Sequence, residues 1–467
     1  MTEQPRNRQE LYDLVRARGK QEFILEEMTR LGFWPEEGEI PQDPADEIRR
    51  TGEIRRELEL LRQESSRLHN EKALRKEALK QRLAESRRKQ AETKARRERE
   101  RQERAEAWQQ RQEQDIVYLG EGVSGGLNHT NCDEERLQSR DLPLLGTAQE
   151  IAQAMEISIG QLRFLAFNRK TATISHYIRF KIPKKTGGER LISAPLPKLK
   201  QAQHWLLSNI LAKIAINDAA HGFRRDRSIV TNAQPHVGAD IVINFDLKDF
   251  FPSISYKRVK GLFRSFGYSE AAATIFALLS TEAALETVQL DNQTYYVALG
   301  ERHLPQGSPA SPAISNLLCR RLDKRLTTAA AELGFTYTRY ADDLTFSASG
   351  DHLRYVCNLL RRTESIVSHE GFTINPEKTR ILRRKSSQLE VTGVVVNEFL
   401  NLDRKTLKRF RATLYQIEKD GLTGKTWGNS NDLLAAIQGF SNFVDMVNSV
   451  KGSQFQAQVK RIKEKWC

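Results

Sequence analysis

Three aspartates at the ends of two predicted strands constrain the fold of this chain more than any other feature of its sequence. Polar and apolar side chains alternate in residues 335–349, FTYTRYADDLTFSAS, on both sides of Asp342 and Asp343. This pattern predicts a β-hairpin with the two carboxylates at its turn, although aspartate is also common in turns for conformational reasons alone. Residues 239–251, ADIVINFDLKDFF, form an apolar run that reaches Asp246, which is typical of a buried strand.

The three carboxylates also indicate a chemistry. A charge at the end of a buried strand is costly unless it meets a cation. If the two predicted strands are neighbours in one sheet, Asp246, Asp342 and Asp343 converge and repel one another. Mg²⁺ prefers oxygen ligands and is bound through one or two carboxylates together with substrate phosphates. Because two such ions promote in-line phosphoryl transfer, the aspartates predict a magnesium-dependent site for that reaction.

Two further segments have the composition of a nucleotide-binding site. Residues 177–194, YIRFKIPKKTGGERLISA, predict a hairpin with Lys181, Lys184 and Arg190 at or near its tip. Basic side chains at such a tip can bind the oxygens of a triphosphate, although basic hairpins are often only solvated edges. In residues 304–318, LPQGSPASPAISNLL, the glutamine amide can bond a sugar or base, and its small neighbours permit close approach of a nucleotide.

The charge of the chain favours a polyanionic partner. The net charge is +14, but residues 1–120 contain 27 Lys and Arg against 26 Asp and Glu, so almost all of the excess lies in residues 121–467. Such an excess is typical of nucleic-acid binding, with solubility alone as the alternative. The cysteines have no metal-ligand spacing, and no apolar run has the length of a membrane span or the place of a signal peptide core. We therefore expect a cytoplasmic protein with no zinc site and no membrane partner.

The N-terminal quarter differs in composition from the rest. Residues 1–45 predict a short helical segment. Residues 46–118 are rich in helix-forming residues of both charges, with a few apolar residues at helical spacing near their start. They predict a long charged helix with a weak coiled-coil start, which would be a spacer or an interaction surface, and disorder is the alternative. Residues 119–141 are rich in Gly and Asn and predict a linker.

The order of these motifs resembles that of reverse transcriptases. NFDLKDFF, LPQGSPASPAISNLL and YADD look like successive palm motifs, and GFTINPEKTR is similar to the next one, with Lys378 in its lysine position. KKTGGERLISAP resembles the fingers motif of the retron and group II intron branch. NAQPH (residues 232–236) and VTG (residues 391–393) match two signatures of retron reverse transcriptases. The resemblance extends from about Leu142 to the C-terminus, and the long N-terminal extension departs from the compact retron enzymes.

The resemblance implies an α+β fold of the right-hand polymerase type. It places the fingers in residues 142–240, the palm in residues 241–397 and a helical thumb in residues 398–467, preceded by the long charged helical extension. Basic side chains in the thumb segment would hold a template–primer duplex through its backbone charge and its A-like shape.

The resemblance also implies roles for individual residues. Asp246, Asp342 and Asp343, with the Leu247 carbonyl as an additional ligand, would hold two Mg²⁺ ions, for which Mn²⁺ can substitute. Lys378 is a candidate proton donor to pyrophosphate, with a plain surface lysine as the alternative. The nucleotide would be bound by Arg190 with Lys181 or Lys184, and by Gln306, Tyr340 and Phe251. The Phe251 ring would exclude a ribose 2′-OH and so select dNTPs. RNA would be recognised by Asn232, His236, Val391, Thr392 and Gly393.

The function implied is that of a bacterial retron reverse transcriptase. Such an enzyme copies part of a structured non-coding RNA from a guanosine 2′-OH primer and produces a branched RNA–DNA molecule, msDNA. Partners would be that RNA, its cDNA and dNTPs, and the family implies anti-phage defence with a neighbouring effector, for which the N-terminal helix is a candidate docking surface. The alternatives are a group II intron maturase-like enzyme and an RNA-binding scaffold with a vestigial polymerase, and the three intact aspartates speak against the scaffold.

Overall fold

A computed structural model describes residues 7–18, 20–34 and 73–466, except residues 185, 186 and 431, together with scattered positions in residues 47–62. The helices are α1 (Arg8–Arg18), α2 (Lys20–Arg30), α3 (Ala73–Gln114), α4 (Glu134–Gln138), α5 (Ala148–Ala154), α6 (Ile159–Ala166), α7 (Pro197–Asn209), α8 (Ile229–Ala233), α9 (Tyr256–Phe266), α10 (Glu270–Ser280), α11 (Ser311–Leu318), α12 (Arg320–Glu332), α13 (Val356–His369), α14 (Arg404–Asp420), α15 (Leu433–Val447) and α16 (Ser449–Trp466). Short 3₁₀ helices occupy Leu211–Lys213, Gln234–His236 and Gly350–Tyr355.

The strands are β1 (Thr171–Ala172), β2 (Tyr177–Pro183), β3 (Glu189–Pro195), β4 (Ile241–Leu247), β5 (Glu282–Leu290), β6 (Gln293–His303), β7 (Thr336–Tyr340), β8 (Asp343–Ala348), β9 (Ile374–Arg383), β10 (Glu390–Val391) and β11 (Val394–Val395). They pair antiparallel in separate small sheets, interspersed with helices. This arrangement confirms the α+β class that the sequence predicts. Among the helices that the structure describes, none is long and apolar enough to cross a membrane.

The chain divides into two compact units. The first contains the residues up to Cys132 that the structure describes, together with Leu145–Arg169 and Ser269–Ile275. It includes α3, a continuous helix of 42 residues that is exposed along most of its described surface. The helix lies within the segment predicted to be long and charged, whereas residues 63–72, where the predicted coiled-coil start would end, lie outside the described residues.

The segment predicted as a linker, residues 119–141, differs from an exposed connector. The side chains of Leu119, Val123, Leu127 and Leu137 are buried, and α4 forms within the segment with Asp133 as its N-cap. The Gly and Asn content correctly indicates turns, because Gly120, Gly122 and Gly126 have a positive φ. The apolar residues between these turns nevertheless pack as part of folded structure.

The second unit is built around a four-stranded antiparallel sheet with the order β7-β8-β4-β9. β4 is a central strand, and its apolar residues Ile241, Val242 and Ile243 are fully buried, as the continuous apolar run predicts. β7 and β8 form the predicted hairpin, with Thr336 opposite Ser347 and Tyr340 opposite Asp343. The antiparallel pairing therefore brings the C-terminal end of β4 and the N-terminal ends of β8 and β9 together, and this end of the strands is called the edge of the sheet below.

The C-terminal helices α14, α15 and α16 contribute to a hydrophobic cluster that also contains Val391, Val394 and Val242 of β4. At its centre the Phe410 ring lies 4.7 Å from Trp427 and 5.1 Å from Phe455, measured between ring centroids. The exposed face of α14 carries basic side chains, namely Arg404, Lys405, Lys408, Arg409 and Arg411. The helix is therefore amphipathic: its apolar face is buried in the cluster, and its basic face is exposed to solvent.

Candidate active site

The two adjacent aspartates occupy the turn between β7 and β8. Asp343 begins β8 and lies directly opposite Asp246 of β4 in the antiparallel register. The backbone N–H of Leu247 donates to the carbonyl of Asp342 over 3.0 Å, which ties the turn to the end of β4. The two predicted strands are therefore neighbours, and the cross-strand register brings the three carboxylates to one edge of the sheet.

A lysine from the third strand also reaches this edge. β9 pairs with β4 on the side opposite to β8, with a register shift between Asn244 and Asp246. Lys378 of β9 places its Nζ 2.8 Å from Oδ1 of Asp246, and the lysine is half exposed whereas the aspartate is largely buried. The hydrogen bond to Asp246 raises the pKa of Lys378, so the side chain is an ammonium ion at neutral pH.

The electrostatics of the two turn aspartates differ from those of an ordinary hairpin. Burial, followed by the charges of Asp342 and Asp246, raises the pKa of Asp343 to about 7. Burial also raises the pKa of Asp342, and the Asp246 charge adds to this effect while Lys378 and Arg190 oppose it. The turn thus concentrates more negative charge than its protein surroundings neutralise, which favours a bound cation.

The donor set fits a hard divalent cation, although not as a preformed cage. In the part of the chain that the structure describes, no group of three or more His, Cys, Asp or Glu side chains is arranged to hold a metal ion. Asp246 is instead engaged by Lys378. A three-carboxylate cage is not required, because Mg²⁺ is bound by one or two carboxylates with substrate phosphates completing its octahedron. Asp342 and Asp343 offer oxygen ligands of this kind, whereas the Leu247 carbonyl stays a prediction.

The basic hairpin β2–β3 places its predicted phosphate ligands on different faces. Arg190 is opposite Ile182 in the ladder, whereas Lys181 is opposite Leu191. Because side chains alternate between faces along a strand, Arg190 and Lys181 project to opposite sides of the hairpin. Lys181 forms an ion pair with Glu189 at 2.7 Å, while Arg190 is close enough to Asp342 to affect its pKa. Lys184 follows β2 at the hairpin tip and is exposed, so it is the better candidate to act with Arg190.

The Gln306 loop is held against the same hairpin. The carbonyl of Gln306 accepts a hydrogen bond of 2.7 Å from the N–H of Ser193 in β3. Gly307 has a φ of 121°, and a Cβ at this position would lie 2.8 Å from the Ser193 carbonyl oxygen. Glycine is therefore required where the loop crosses the strand. The contact fixes the Gln306 backbone beside β3, the strand that also carries Arg190.

Three aromatic rings gather beside the turn that carries Asp342 and Asp343. Phe223 lies 6.3 Å from Phe251 and 6.5 Å from Tyr340, measured between ring centroids. Phe251 and Tyr340 were predicted from sequence, but Phe223 was missed. Its ring is about half exposed, and its backbone φ of 58° is unusual for a bulky residue. Its sequence context, HGFRRDRS, looked like an irregular loop, so no periodicity could indicate its place.

The NAQPH and VTG motifs pack against each other, but their side chains are mostly inaccessible. His236 is fully buried, with Nδ1 2.6 Å from the Ser347 hydroxyl and Nε2 2.7 Å from the Thr338 hydroxyl. Asn232 is also fully buried, and its Nδ2 donates to the Thr392 hydroxyl over 3.4 Å.

Direct RNA contact by Asn232, His236 and Val391 is at odds with this burial, because no face of these side chains is open to a partner. Thr392 and Gly393 form the turn between β10 and β11, both with positive φ, and Gly393 is exposed. The prediction of RNA-binding residues is therefore corrected for the first three and stays open for the turn.

Known proteins with similar sequences indicate the family of this chain. Residues 182–396 match the family model described as reverse transcriptase (RNA-dependent DNA polymerase). The retron Mx162 reverse transcriptase of Myxococcus xanthus is 43% identical over 343 residues, which cover 70% of each chain. The retron Ec86 reverse transcriptase of Escherichia coli is 32% identical over 332 residues, which cover 71% of this chain and 94% of that protein.

Solved structures give weaker similarities. The telomerase of Candida albicans in complex with a TWJ fragment of telomeric RNA is 12% identical, with a TM-score of 0.35 and coverage of 60% of this chain and 56% of that one. The foamy viral protease–reverse transcriptase in complex with an RNA/DNA hybrid is 11% identical, with a TM-score of 0.33 and coverage of 63% and 34%. Scores of this size add nothing to the assignment.

The sheet, the aspartate turn and the matched family model define a reverse transcriptase, that is, an RNA-directed DNA polymerase. Reverse transcriptases generally use divalent metal ions, and RNA and DNA are their partners. Within this class, the identity and coverage of the relatives are decisive: the chain belongs to the retron reverse transcriptases. The family suggested by its motifs is thereby confirmed.

Proposed function

We propose that this polymerase starts DNA synthesis from the 2′-OH of a guanosine in a structured non-coding RNA and produces branched msDNA. The observation that supports a working polymerase site is the cross-strand register of Asp246 and Asp343, with Asp342 in the adjoining turn. The match to retron relatives supports the retron type of primer. We assign the fingers to residues 142–240, the palm to residues 241–397 and the thumb to residues 398–467.

Asp342 and Asp343, with Asp246, are assigned to hold Mg²⁺ at the edge of the palm sheet. When bound, two such ions lower the pKa of the attacking hydroxyl and stabilise the triphosphate and the leaving pyrophosphate. Asp342 is assigned as the firmer ligand of the turn, with Asp343 contributing more through positioning and charge. Lys378 lies 2.8 Å from Asp246 and carries a proton beside the site, which supports its role as a donor to pyrophosphate.

The nucleotide is assigned to the space between the hairpin and the aromatic rings. Arg190 would bind the triphosphate with Lys184 in preference to Lys181, because Lys181 is on the other face and paired with Glu189. The Gln306 loop would position the sugar and base. Phe251 would lie against the sugar and exclude a 2′-OH.

RNA recognition is assigned to the exposed parts of two elements. The turn at Thr392 and Gly393 and the basic face of α14 are both accessible, and both belong to segments that contribute to the same hydrophobic cluster. The NAQPH motif would act indirectly, by holding that turn through Asn232. The long helix α3 is an exposed surface that could dock an effector, and the retron family supports a role in anti-phage defence.

The experiment that tests the proposal is purification of the protein expressed together with the DNA that flanks its gene. The bound nucleic acid should contain DNA joined to RNA through a 2′,5′ linkage, detected by its sensitivity to a debranching enzyme. The matched control is the Asp342→Asn, Asp343→Asn double variant, which should purify with RNA alone. Unbranched cDNA would favour the maturase-like alternative, and RNA without DNA on the wild-type protein would favour the scaffold.

A further inference from the structure

Arg339 is buried completely in the strand that precedes the catalytic turn. Its guanidinium forms a bidentate pair with Asp323 of α12, with Nε donating to Oδ1 over 2.7 Å and Nη2 donating to Oδ2 over 2.8 Å. The Tyr337 hydroxyl donates to the same Oδ1 over 2.9 Å. The arginine is therefore held in one orientation by a fully buried acid that is itself fixed by a second donor.

The other side of the guanidinium faces the turn. Nη1 of Arg339 donates to the carbonyl oxygen of Ala341 over 3.0 Å and to Oδ1 of Asn316 over 3.0 Å. Ala341 is the residue immediately before Asp342. The guanidinium of Arg339 is thus hydrogen-bonded to the peptide group that joins Ala341 to Asp342.

The turn needs such support because Ala341 has a φ of 57°. This left-handed conformation is unfavourable for a residue with a Cβ, and it persists only where the surroundings enforce it. Because Ala341 joins β7 to the aspartates, relaxation of this φ would change the direction in which both carboxylates project.

The loop that contains Gly222 also packs against the Ala341 backbone. Gly222 lies against the turn so closely that a Cβ there would be 2.5 Å from the Ala341 nitrogen. Nδ2 of Asn316 donates to the Gly222 carbonyl over 2.9 Å, while Oδ1 of Asn316 accepts from Arg339. Asn316 therefore connects the arginine on one side of Ala341 with the glycine on the other.

We infer that Arg339 is a positioning residue for catalysis: anchored on Asp323, its guanidinium holds the Ala341 carbonyl and so fixes the left-handed turn that presents Asp342 and Asp343. The inference rests on the proposed role of these two aspartates.

A purely structural ion pair would not need this third contact. Replacement of a buried pair by apolar residues is often neutral for stability, so the pair by itself gives no reason for an arginine here. The planar fork can bind a carboxylate with two nitrogens and still direct a third toward the turn. Lysine, as a point charge, could neutralise Asp323 but could not reproduce both contacts.

The decisive variant is Arg339→Lys, which keeps the buried charge beside Asp323. In primer extension with saturating template–primer, kcat per active site should fall by about 10²-fold, since a misplacement of about 1 Å has that effect, while KM for dNTP changes little. The electron paramagnetic resonance spectrum of bound Mn²⁺, recorded with a saturating non-reactive dNTP, should change in shape because the geometry of the carboxylate ligands is altered. An unchanged kcat with only a lower Tm would overturn the inference.

The matched control is Arg325→Lys. Arg325 also contacts a buried acid, Glu370, at 2.7 Å, but Glu370 is held by Arg321 as well and none of the three contacts the turn. This variant should alter Tm slightly and leave kcat as in the wild type. An equal loss of kcat in the control would mean that any weakened palm ion pair has the same effect, and it would overturn the inference.

If Arg339→Lys does not fold, Ala341→Gly decides the question. Glycine adopts the left-handed conformation without strain, and Arg339 still holds the carbonyl of residue 341, so kcat and Tm should both stay near the wild-type values. A large loss of kcat would mean that Arg339 does not fix the turn, and it would overturn the inference. Failure of the proposed function looks different, because the wild-type protein itself would then extend no primer in the same assay.

Discussion

The two regions at the ends of strand β8 differ in how fully the protein satisfies their polar groups. At its start, Asp343 and the neighbouring Asp342 and Asp246 carry negative charge that the surrounding protein neutralises only in part, and the pKa values of the two turn residues are raised. Near its end, the Ser347 hydroxyl is bonded to His236, whose ring is fully buried and hydrogen-bonded through both nitrogens.

The degree to which protein partners satisfy a polar group thus distinguishes candidate ligand-binding groups from groups that stabilise the fold. Buried polar side chains normally find protein partners, so an electrostatic excess at an accessible edge points to something that is bound there. A satisfied network such as that of His236 can carry a family signature and still never touch a substrate. Accessibility, which a motif does not state, decides between the two roles.

The largest expected effect is at the first region. Asp342→Asn should lower the rate of primer extension by about 10³-fold or more, because a ligand for the catalytic ions is lost. Tm should stay the same or rise, because the replacement removes repulsion from Asp343 and Asp246. The exposed Asp351→Asn is a suitable control that should change neither quantity. A rate within tenfold of the wild type would place catalysis elsewhere.

A smaller effect on selectivity is expected at the aromatic rings of the same region. Phe251→Ala should reduce the preference for dNTP over rNTP by about 10²-fold, since the wall against the 2′-OH is removed. The ratio of kcat/KM values for dCTP and CTP on one template measures it. Phe33→Ala, which truncates an exposed ring in the N-terminal segment, should leave the ratio unaltered. If Phe251→Ala also leaves it unaltered, the ring is not the selective element.

The smallest effect on activity, but a clear one on stability, is expected at the second region. His236→Ala should lower the free energy of unfolding by about 2 kcal/mol, because the Ser347 and Thr338 hydroxyls lose their partner. The rate per active site should remain that of the wild type. A loss of rate without a loss of stability would contradict the division between the regions.

The pH dependence of this stability has a definite sign. Burial, with the charge of His221 in addition, lowers the pKa of His236 to about 3, against about 6.5 in the unfolded chain. Between these two pH values the unfolded state binds a proton at His236 and the folded state does not. The contribution of His236 to the free energy of unfolding is therefore complete above pH 6.5 and declines as the pH falls toward 3. The difference in stability between the wild type and His236→Ala should narrow over this interval, as denaturant titrations at several pH values would measure.

Much of the site could be predicted because its signals are local. The alternation in residues 335–349 gives the hairpin and the apolar run gives β4, whereas the antiparallel pairing of β4 with β8 is known only from the structure. The approach of Lys378 to Asp246 could not be derived in this way. It depends on β9 pairing with the far side of β4 and on the register shift beside Asp246, and neither feature leaves a periodic pattern.

The roles of buried polar residues were also beyond the sequence. Alternation along β7 places Tyr337 and Arg339 on one face, but an arginine on an inward face can be interpreted only when its acid is known. That acid, Asp323, is on a separate helix, α12, and its meeting with Arg339 is a tertiary fact. For the same reason NAQPH was taken for a contact surface, since composition does not distinguish a satisfied histidine from an accessible one.

The hydrogen bond between Asn232 and Thr392 joins two motifs that are 160 positions apart in the chain. It connects α8 to the β10–β11 turn, so the position of the turn depends on a side chain of that helix. Thr392→Val would leave the buried Asn232 amide without its acceptor, and the effect would reach α8 as well as the turn.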